Sequence, residues 1–427
     1  MRSFSYPELD EILYKETLPG GLTLAVVPRK GFARSVAYLV TDFGSIHTNF
    51  RLEGTEYTVP AGVAHYLEHK MFELPGDRDV SAEFAALGAN VNAFTSYDMT
   101  AYYFSCTDHF QENLQLLLEF VTTPYFTQES VEKEQGIIDQ EIGMNLDAPD
   151  SVIFDELMAA LYEKHPIRVP ILGTSETIRQ ITPEILHLCH RAFYTPGNML
   201  LCVIGDVDPD AVRQTAMDRL GSESQCVGEK IRNWDEPITA RIPETACQME
   251  VAMPTFDLAF KCEDIGSGEN AIRQEMVADL AAEALFGESS ELYLKLYEEG
   301  LIDSSFGGGF ETVDGCAMLT CSGDSEEPRE VRDAVIRQAE QLIKTGIGDE
   351  NFLRLKRSAL GRRIRSLDSF DATCFRLCAY HFSDFDYFRF PEVYRSIERA
   401  EIPAFLRKVV RKENSTLSVI VPKEDTL

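Results

Sequence analysis

The hydrophobic pattern opens in strand form and then turns helical. LTLAVVP (22–28) and SVAYLVT (35–41) are rich in β-branched residues and flank RKGFAR, a turn, which predicts two strands. A helix is expected from just after Pro60 to about residue 74, and a second over 81–87. VNAFTSYDMTAYYFSC (91–106) alternates as a pair of strands or one long bent strand. Helical spacing dominates 108–190, and TPGN (195–198) marks a turn into the apolar strand MLLCVIGDV. The first half reads β, then α, then β, an α+β arrangement.

GSESQCVGEKIRNWDEP (221–237) has neither hydrophobic period and is the best candidate linker, dividing the chain into domains over 1–220 and 238–427. A new strand-rich stretch begins near Cys247. Arg191, Asn198, Leu201, Val203 and Ile204 recur in the same order and spacing as Arg407, Asn414, Leu417, Val419 and Ile420, which points to a domain-sized duplication. The length of 427 residues agrees, since single cores usually stop growing below that size.

Composition narrows the class. With 44% apolar and 10% aromatic residues the chain reads as an ordinary folded, water-soluble protein. The start, MRSFSYPELDEILYKE, has no basic-then-apolar character, and no apolar run approaches ~18 residues, so no membrane span and a cytoplasmic location are expected. A net charge of −30 argues against nucleic acid, whose phosphates need a basic surface, and suits cationic or neutral partners or plain solubility. The ten cysteines are scattered singly and read as reduced core fillers; Cys374 and Cys378 lie four apart but lack a second pair to make a metal site.

The chemistry lies in VAHYLEHKMFE (63–73). Positions i, i+3 and i+4 share a helix face, so His65, Glu68 and His69 project together. Two imidazoles suit Zn²⁺, and catalytic zinc usually takes three protein ligands with a fourth position left for water. Histidines four apart on a helix are often ordinary surface or core residues. Here a carboxylate stands between them and Val63, Ala64, Leu67, Met71 and Phe72 surround them, and such a cluster is costly unless its charges are paired or a metal is present. A third ligand is owed. ESVEKEQGIIDQEIGMNL, near 128–145, offers Glu134 and Glu141 seven apart on one face, and either completes the set.

H-x-x-E-H is the inverzincin signature, and the surrounding text resembles the pitrilysin/insulinase family of zinc metallopeptidases, as a short bacterial-type member, over nearly the whole chain. The further matching stretches are GANVNAFTSYDMTAYY (88–103), EKEQGIIDQEI (132–142), HPIRVPILGTSETI (165–178) and FYTPGNMLLCVIGDVDP (193–209). The resemblance implies two homologous α+β domains, each a mostly antiparallel sheet packed against helices. It implies Glu141 as the third zinc ligand, with Glu134 supporting the site without being a regular ligand. Asn92 and Ala93 would lie on a strand edge where a peptide substrate docks as an added strand. Glu68 would remove a proton from a zinc-activated water and deliver it to the leaving amine.

The second half departs from the pattern. DLAAEALF (279–286) aligns with HYLEHKMF (65–72) and puts Asp279, Ala282 and Glu283 at the three motif positions, so no zinc is expected there. Many family members carry an Arg and a Tyr in the second half to hold the substrate carbonyl; LYEEGLIDSS (296–305) supplies neither at the corresponding places. The expectation is an endopeptidase acting on peptides or unfolded segments inside a chamber, completed by a related subunit that carries the Arg/Tyr pair, or by a second copy. The competing class is a non-catalytic peptide-binding or assembly subunit. Gly307–Gly309 read as a bend, since no phosphate-loop Lys follows, His187 and His190 as ordinary helix residues, and no G-x-S-x-G context is present.

Overall fold

The computed structural model describes residues 1–76, 78–221 and 226–423. Strands β1 (Arg2–Tyr6), β2 (Glu11–Thr17), β3 (Thr23–Pro28), β4 (Ser35–Thr41), β5 (Asn49–Leu52) and β6 (Thr55–Thr58) precede helix α1 (Val63–Lys70). The small hairpin β7 (Glu73–Leu74) and β8 (Arg78–Asp79), helix α2 (Val80–Ala86) and strands β9 (Asn90–Thr95) and β10 (Thr100–Cys106) follow. Helices α3 (Phe110–Val121), α4 (Gln128–Leu146), α5 (Pro149–Leu161), α6 (Ser175–Ile178) and α7 (Pro183–Phe193) lead to β11 (Met199–Gly205), α8 (Pro209–Leu220) and β12 (Glu229–Lys230). The second half runs β13 (Glu244–Met249), β14 (Thr255–Cys262), α9 (Gly268–Phe286), α10 (Glu291–Glu298), β15 (Gly307–Val313) and β16 (Cys316–Asp324). It ends α11 (Pro328–Thr345), α12 (Asp349–Arg365), α13 (Phe370–Phe382), α14 (Phe390–Ser396), α15 (Glu401–Val409) and β17 (Ser415–Pro422). No helix among the described residues is long and apolar enough to cross a membrane.

The alternating stretch 91–106 is the hairpin β9–β10, with Thr95 opposite Thr100. The first motif helix stops at Lys70, short of residue 74, because Pro75 disfavours a helical Leu74 and the chain turns into β7–β8 instead.

The chain divides into two compact units, and the chain passes between them more than once. The first comprises 1–142, 170–232 and 364–389; the second 143–169, 233–363 and 390–427. Relative to a contiguous division over 1–220 and 238–427, two segments are exchanged. The first sheet runs β1-β2-β3-β11-β4-β10-β9 and the second β13-β17-β14-β16-β15. The last five strands of the first correspond one to one with the second, down to the single parallel pair, β3 with β11 and β13 with β17.

The exchanged helices explain the strand patterns. Ala37, Leu39, Leu201 and Val203 belong to the core beneath α1, α3 and α7, while the alternating Tyr38 and Cys202 meet Asp371 and Cys374 of α13 on the other face. With both faces covered, β4 and β11 are buried along their whole length, which is why they read as unbroken apolar runs. In the second unit α5 packs likewise on β14 and β17.

The polar stretch 221–237 is held in place where it is described; residues 222–225 lie outside the described residues. β12 pairs with β5. Further on, Glu236 accepts hydrogen bonds from the backbone N–H groups of Glu163 (2.9 Å), Lys164 (2.6 Å) and His165 (2.7 Å) and an ion pair from the buried Lys261 (2.6 Å). Burial works against the Glu236 charge, but those donors outweigh it and hold the carboxyl down at about 2. A depressed carboxyl stabilises the fold above its unfolded value near 4.5, and that contribution is lost as pH falls through about 2. Glu236→Gln is therefore expected to lose about 2 kcal/mol at pH 7, after discounting for solvent screening. Urea unfolding at pH 7 and at about pH 2.5 checks this: the gap between wild type and variant narrows in acid.

Candidate metal centre

Helix α1 begins where two glycines let backbones meet. Gly62 caps it at φ +90°, and a Cβ there would lie 2.4 Å from the Leu172 carbonyl oxygen. Gly173, at φ +72°, would place its Cβ 2.5 Å from the Ala61 carbonyl oxygen. The ILGT portion of the stretch 165–178 thus clasps the start of the motif helix, an approach that only glycine permits.

Val63, Ala64, Tyr66, Leu67 and Met71 anchor the helix in the core of the first unit. The Tyr66 hydroxyl donates to the Val131 carbonyl, and the buried Lys70 ammonium reaches the Ser130 carbonyl (3.3 Å) and Glu73 (2.5 Å). The bonds to Val131 and Ser130 tie α1 to the first turn of α4. On α4, Val131, Ile138 and Ile142 face the core, which fixes the rotation of the helix and leaves Glu134 and Glu141 towards α1.

The two carboxylates meet opposite edges of one imidazole. Glu134 Oε1 lies 3.0 Å from His69 Nδ1, and Glu141 Oε2 lies 3.5 Å from His69 Nε2. Glu141 Oε1 also stands 3.7 Å from His65 Nε2. His65, His69 and Glu141 form the only group among the described residues whose ligand atoms could hold a metal ion, all lying within 4.8 Å of one another. Tetrahedral ligands at ~2.1 Å from zinc stand about 3.4 Å apart. The residues present fit that ion.

The electrostatics agree with a cation between them. Burial, and then the neighbouring His69, push His65 down to about 3, which keeps its imidazole neutral, as a metal ligand must be, and its Nδ1 is buried without a partner. Burial opposes charge on His69 as well, but the Glu134 hydrogen bond and the Glu68 and Glu141 carboxylates outweigh it and raise its pKa. Glu68 is buried beside the triangle, not in it. Burial raises its pKa, against a 2.6 Å hydrogen bond from the Thr95 hydroxyl and the pull of His69.

Asn92 and Ala93 lie on β9, the edge strand of the seven-stranded sheet. Asn92 is exposed, and its Oδ1 accepts the Ala93 N–H (2.9 Å). Asp279 and Glu283, at the corresponding positions on α9, face arginines. Matching Leu146, Asp147, Asp150 and Phe154 with Leu367, Asp368, Asp371 and Phe375 sets Arg362 where α4 has Glu141. Glu283 pairs directly with Arg362 at 2.7 Å, and Asp279 with Arg363 at 3.2 Å. In the second unit a guanidinium thus lies at the place that the Glu141 carboxylate takes in the first. Thr95 and the glycine clasp have no sequence signal of their own: Thr95 and Gly173 fall inside longer matching stretches, and Gly62 lies just before the motif.

A duplicated α+β unit with an H-x-x-E-H helix and a convergent Glu from a second helix defines an inverted-zincin architecture. The chain belongs to peptidase family M16, the insulinase family. Residues 33–175 match the family described as Insulinase (Peptidase family M16), and 180–359 match the Peptidase M16 inactive domain. A Bacillus subtilis (strain 168) protein described as an uncharacterized zinc protease, YmfH, is 34% identical over 99% of this chain and 100% of its own. The crystal structure of a putative M16-like peptidase from Alicyclobacillus acidocaldarius superposes with a TM-score of 0.93 at 32% identity, over 99% of this chain and 100% of that one. A protease from Helicobacter pylori shares the fold at a TM-score of 0.82 and 18% identity, over 96% of this chain and 99% of its own.

Proposed function

We propose that this chain is a zinc-dependent endopeptidase that hydrolyses peptides or unfolded segments within a chamber completed by a partner subunit. The observation that carries this reading is the convergence of His65 Nε2, His69 Nε2 and the Glu141 carboxylate beside a buried carboxylate, Glu68, that is not one of the three. Bound zinc would polarise the scissile carbonyl and bring its water towards a pKa of about 7. His65, His69 and Glu141 hold the ion, and Glu134 orients His69 through its other ring nitrogen. Glu68 takes the proton from the attacking water and returns it to the leaving amine. The free edge of β9 at Asn92 and Ala93 accepts the peptide as an added strand, which places its backbone alongside Glu68 through Thr95.

The residues 296–305 offer no Arg/Tyr pair for the oxyanion, so a related subunit carrying that pair supplies it; a second copy of this chain is the other arrangement. The same absence favours a second reading, a subunit that binds peptides or builds an assembly without cutting. Zinc content and cleavage of a mixed peptide library, with and without a chelator, separate the two. The peptidase reading expects roughly one zinc per chain and cleavage that chelation stops and added zinc restores. Metal-free protein, or cleavage indifferent to chelation, overturns it. If the chain alone matches the turnover of the chain mixed with its related subunit, the partner is not required.

A further inference from the structure

The strand that offers its edge to a peptide also touches the proton-transferring carboxylate. Thr95 is the last residue of β9, three positions beyond Asn92, and its backbone is fixed by pairing with Thr100 across the hairpin. Its hydroxyl donates to Glu68 Oε2 at 2.6 Å. No donor among the described residues is found on Oε1. Along β9, alternate residues share a face, so Ala93 and Thr95 point to the α1 side while Asn92 and Phe94 point away. Thr95 is thus the residue through which this strand reaches the motif helix.

We infer that Thr95 is a positioning residue: its hydroxyl occupies one oxygen of Glu68, commits the other to proton transfer, and ties that carboxylate to the strand on which the substrate is registered. This rests on the peptidase reading above. A carboxylate on a free χ3 presents either oxygen, or neither, to a water; a fixed donor on Oε2 removes that freedom. Threonine suits the task because its β-branch restricts χ1, which keeps the hydroxyl aimed at one place. Hydrogen-bond donors to a charged group are among the stronger ones, so the orientation survives thermal motion. A peptide lying on β9 is then in register with the base because both are referred to the same strand.

The test uses the full chain with Thr95→Val, which keeps shape and removes the donor, and Thr95→Ser, which keeps the donor. Zinc content, kcat and KM on a fluorogenic peptide, and crystal structures of the zinc-free variants are measured. The expected result is zinc content and KM within about 2-fold of wild type for both variants, kcat down about 30-fold for Thr95→Val, and within about 5-fold for Thr95→Ser. In the zinc-free Thr95→Val structure the Glu68 carboxylate is expected to leave its wild-type orientation while β9 stays in place. Unchanged kcat, equal losses in Val and Ser variants, or a Glu68 orientation unaltered in Thr95→Val each overturn the inference. If wild type shows no chelator-sensitive cleavage either alone or mixed with its related subunit, the peptidase reading fails, and the orientation of Glu68 in the zinc-free structures still decides whether Thr95 holds it.

Discussion

Glu68→Gln is expected to retain roughly one zinc per chain and to lose hydrolysis by about 10³-fold or more in kcat. The amide is nearly isosteric, so helix α1 and its buried contacts are undisturbed, and Glu68 is not among the three residues whose ligand atoms converge. What is lost is the ability to accept a proton. A positioned general base contributes ~10²–10⁴-fold, and one that also returns the proton to the leaving group lies at the upper end. Metal analysis paired with steady-state kinetics on one peptide checks both halves. A variant with wild-type turnover would show that some other group moves the proton.

The second large effect is on metal affinity. Replacing His65 or His69 by Ala, or Glu141 by Gln, removes one of the three proposed ligands and is expected to weaken zinc binding by about 10³-fold or more. Glu134→Gln, which changes only the partner of the His69 Nδ1, is expected to cost about 10–100-fold. Competition against a chromophoric chelator ranks the four variants. Glu134→Gln weakening zinc as much as Glu141→Gln would reverse the assignment of the two glutamates. The zinc-free protein should remain folded, because α1 is anchored by Val63, Ala64, Tyr66, Leu67 and Met71 and not by the ion. Thermal stability then changes only through linkage to bound zinc.

Much of this was legible in the residues because its signals are local. The i, i+3, i+4 spacing that brings His65, Glu68 and His69 to one face follows from helix geometry alone. The recurrence of Arg191 and Asn198 as Arg407 and Asn414 falls on equivalent elements: a helix, a short 3₁₀ turn whose Asn is buried, and a central strand, in both units. The unbroken apolar character of MLLCVIG marked a strand; that both its faces are covered came from the packing.

The rest depended on contacts distant in sequence. Glu134 and Glu141 are equivalent on a helical wheel; only the tethering of α4 to α1 through Tyr66 and Lys70, with Ile138 and Ile142 in the core, brings one to His69 Nδ1 and the other to both Nε2 atoms. The exchange of α5 and α13 between the units has no sequence signal, because an amphipathic helix does not specify which sheet buries its apolar face. The same holds for the Arg362 and Glu283 ion pair and for the hydrogen bond from Thr95 to Glu68. The sequence by itself determined the central strands, the duplication and the two histidines and carboxylate of the motif helix, since those follow from periodicity and residue chemistry. The tertiary structure decided which carboxylate meets which imidazole nitrogen and which strand touches Glu68, since hydrogen bonds and ion pairs depend on distances of a few ångströms that only packing sets.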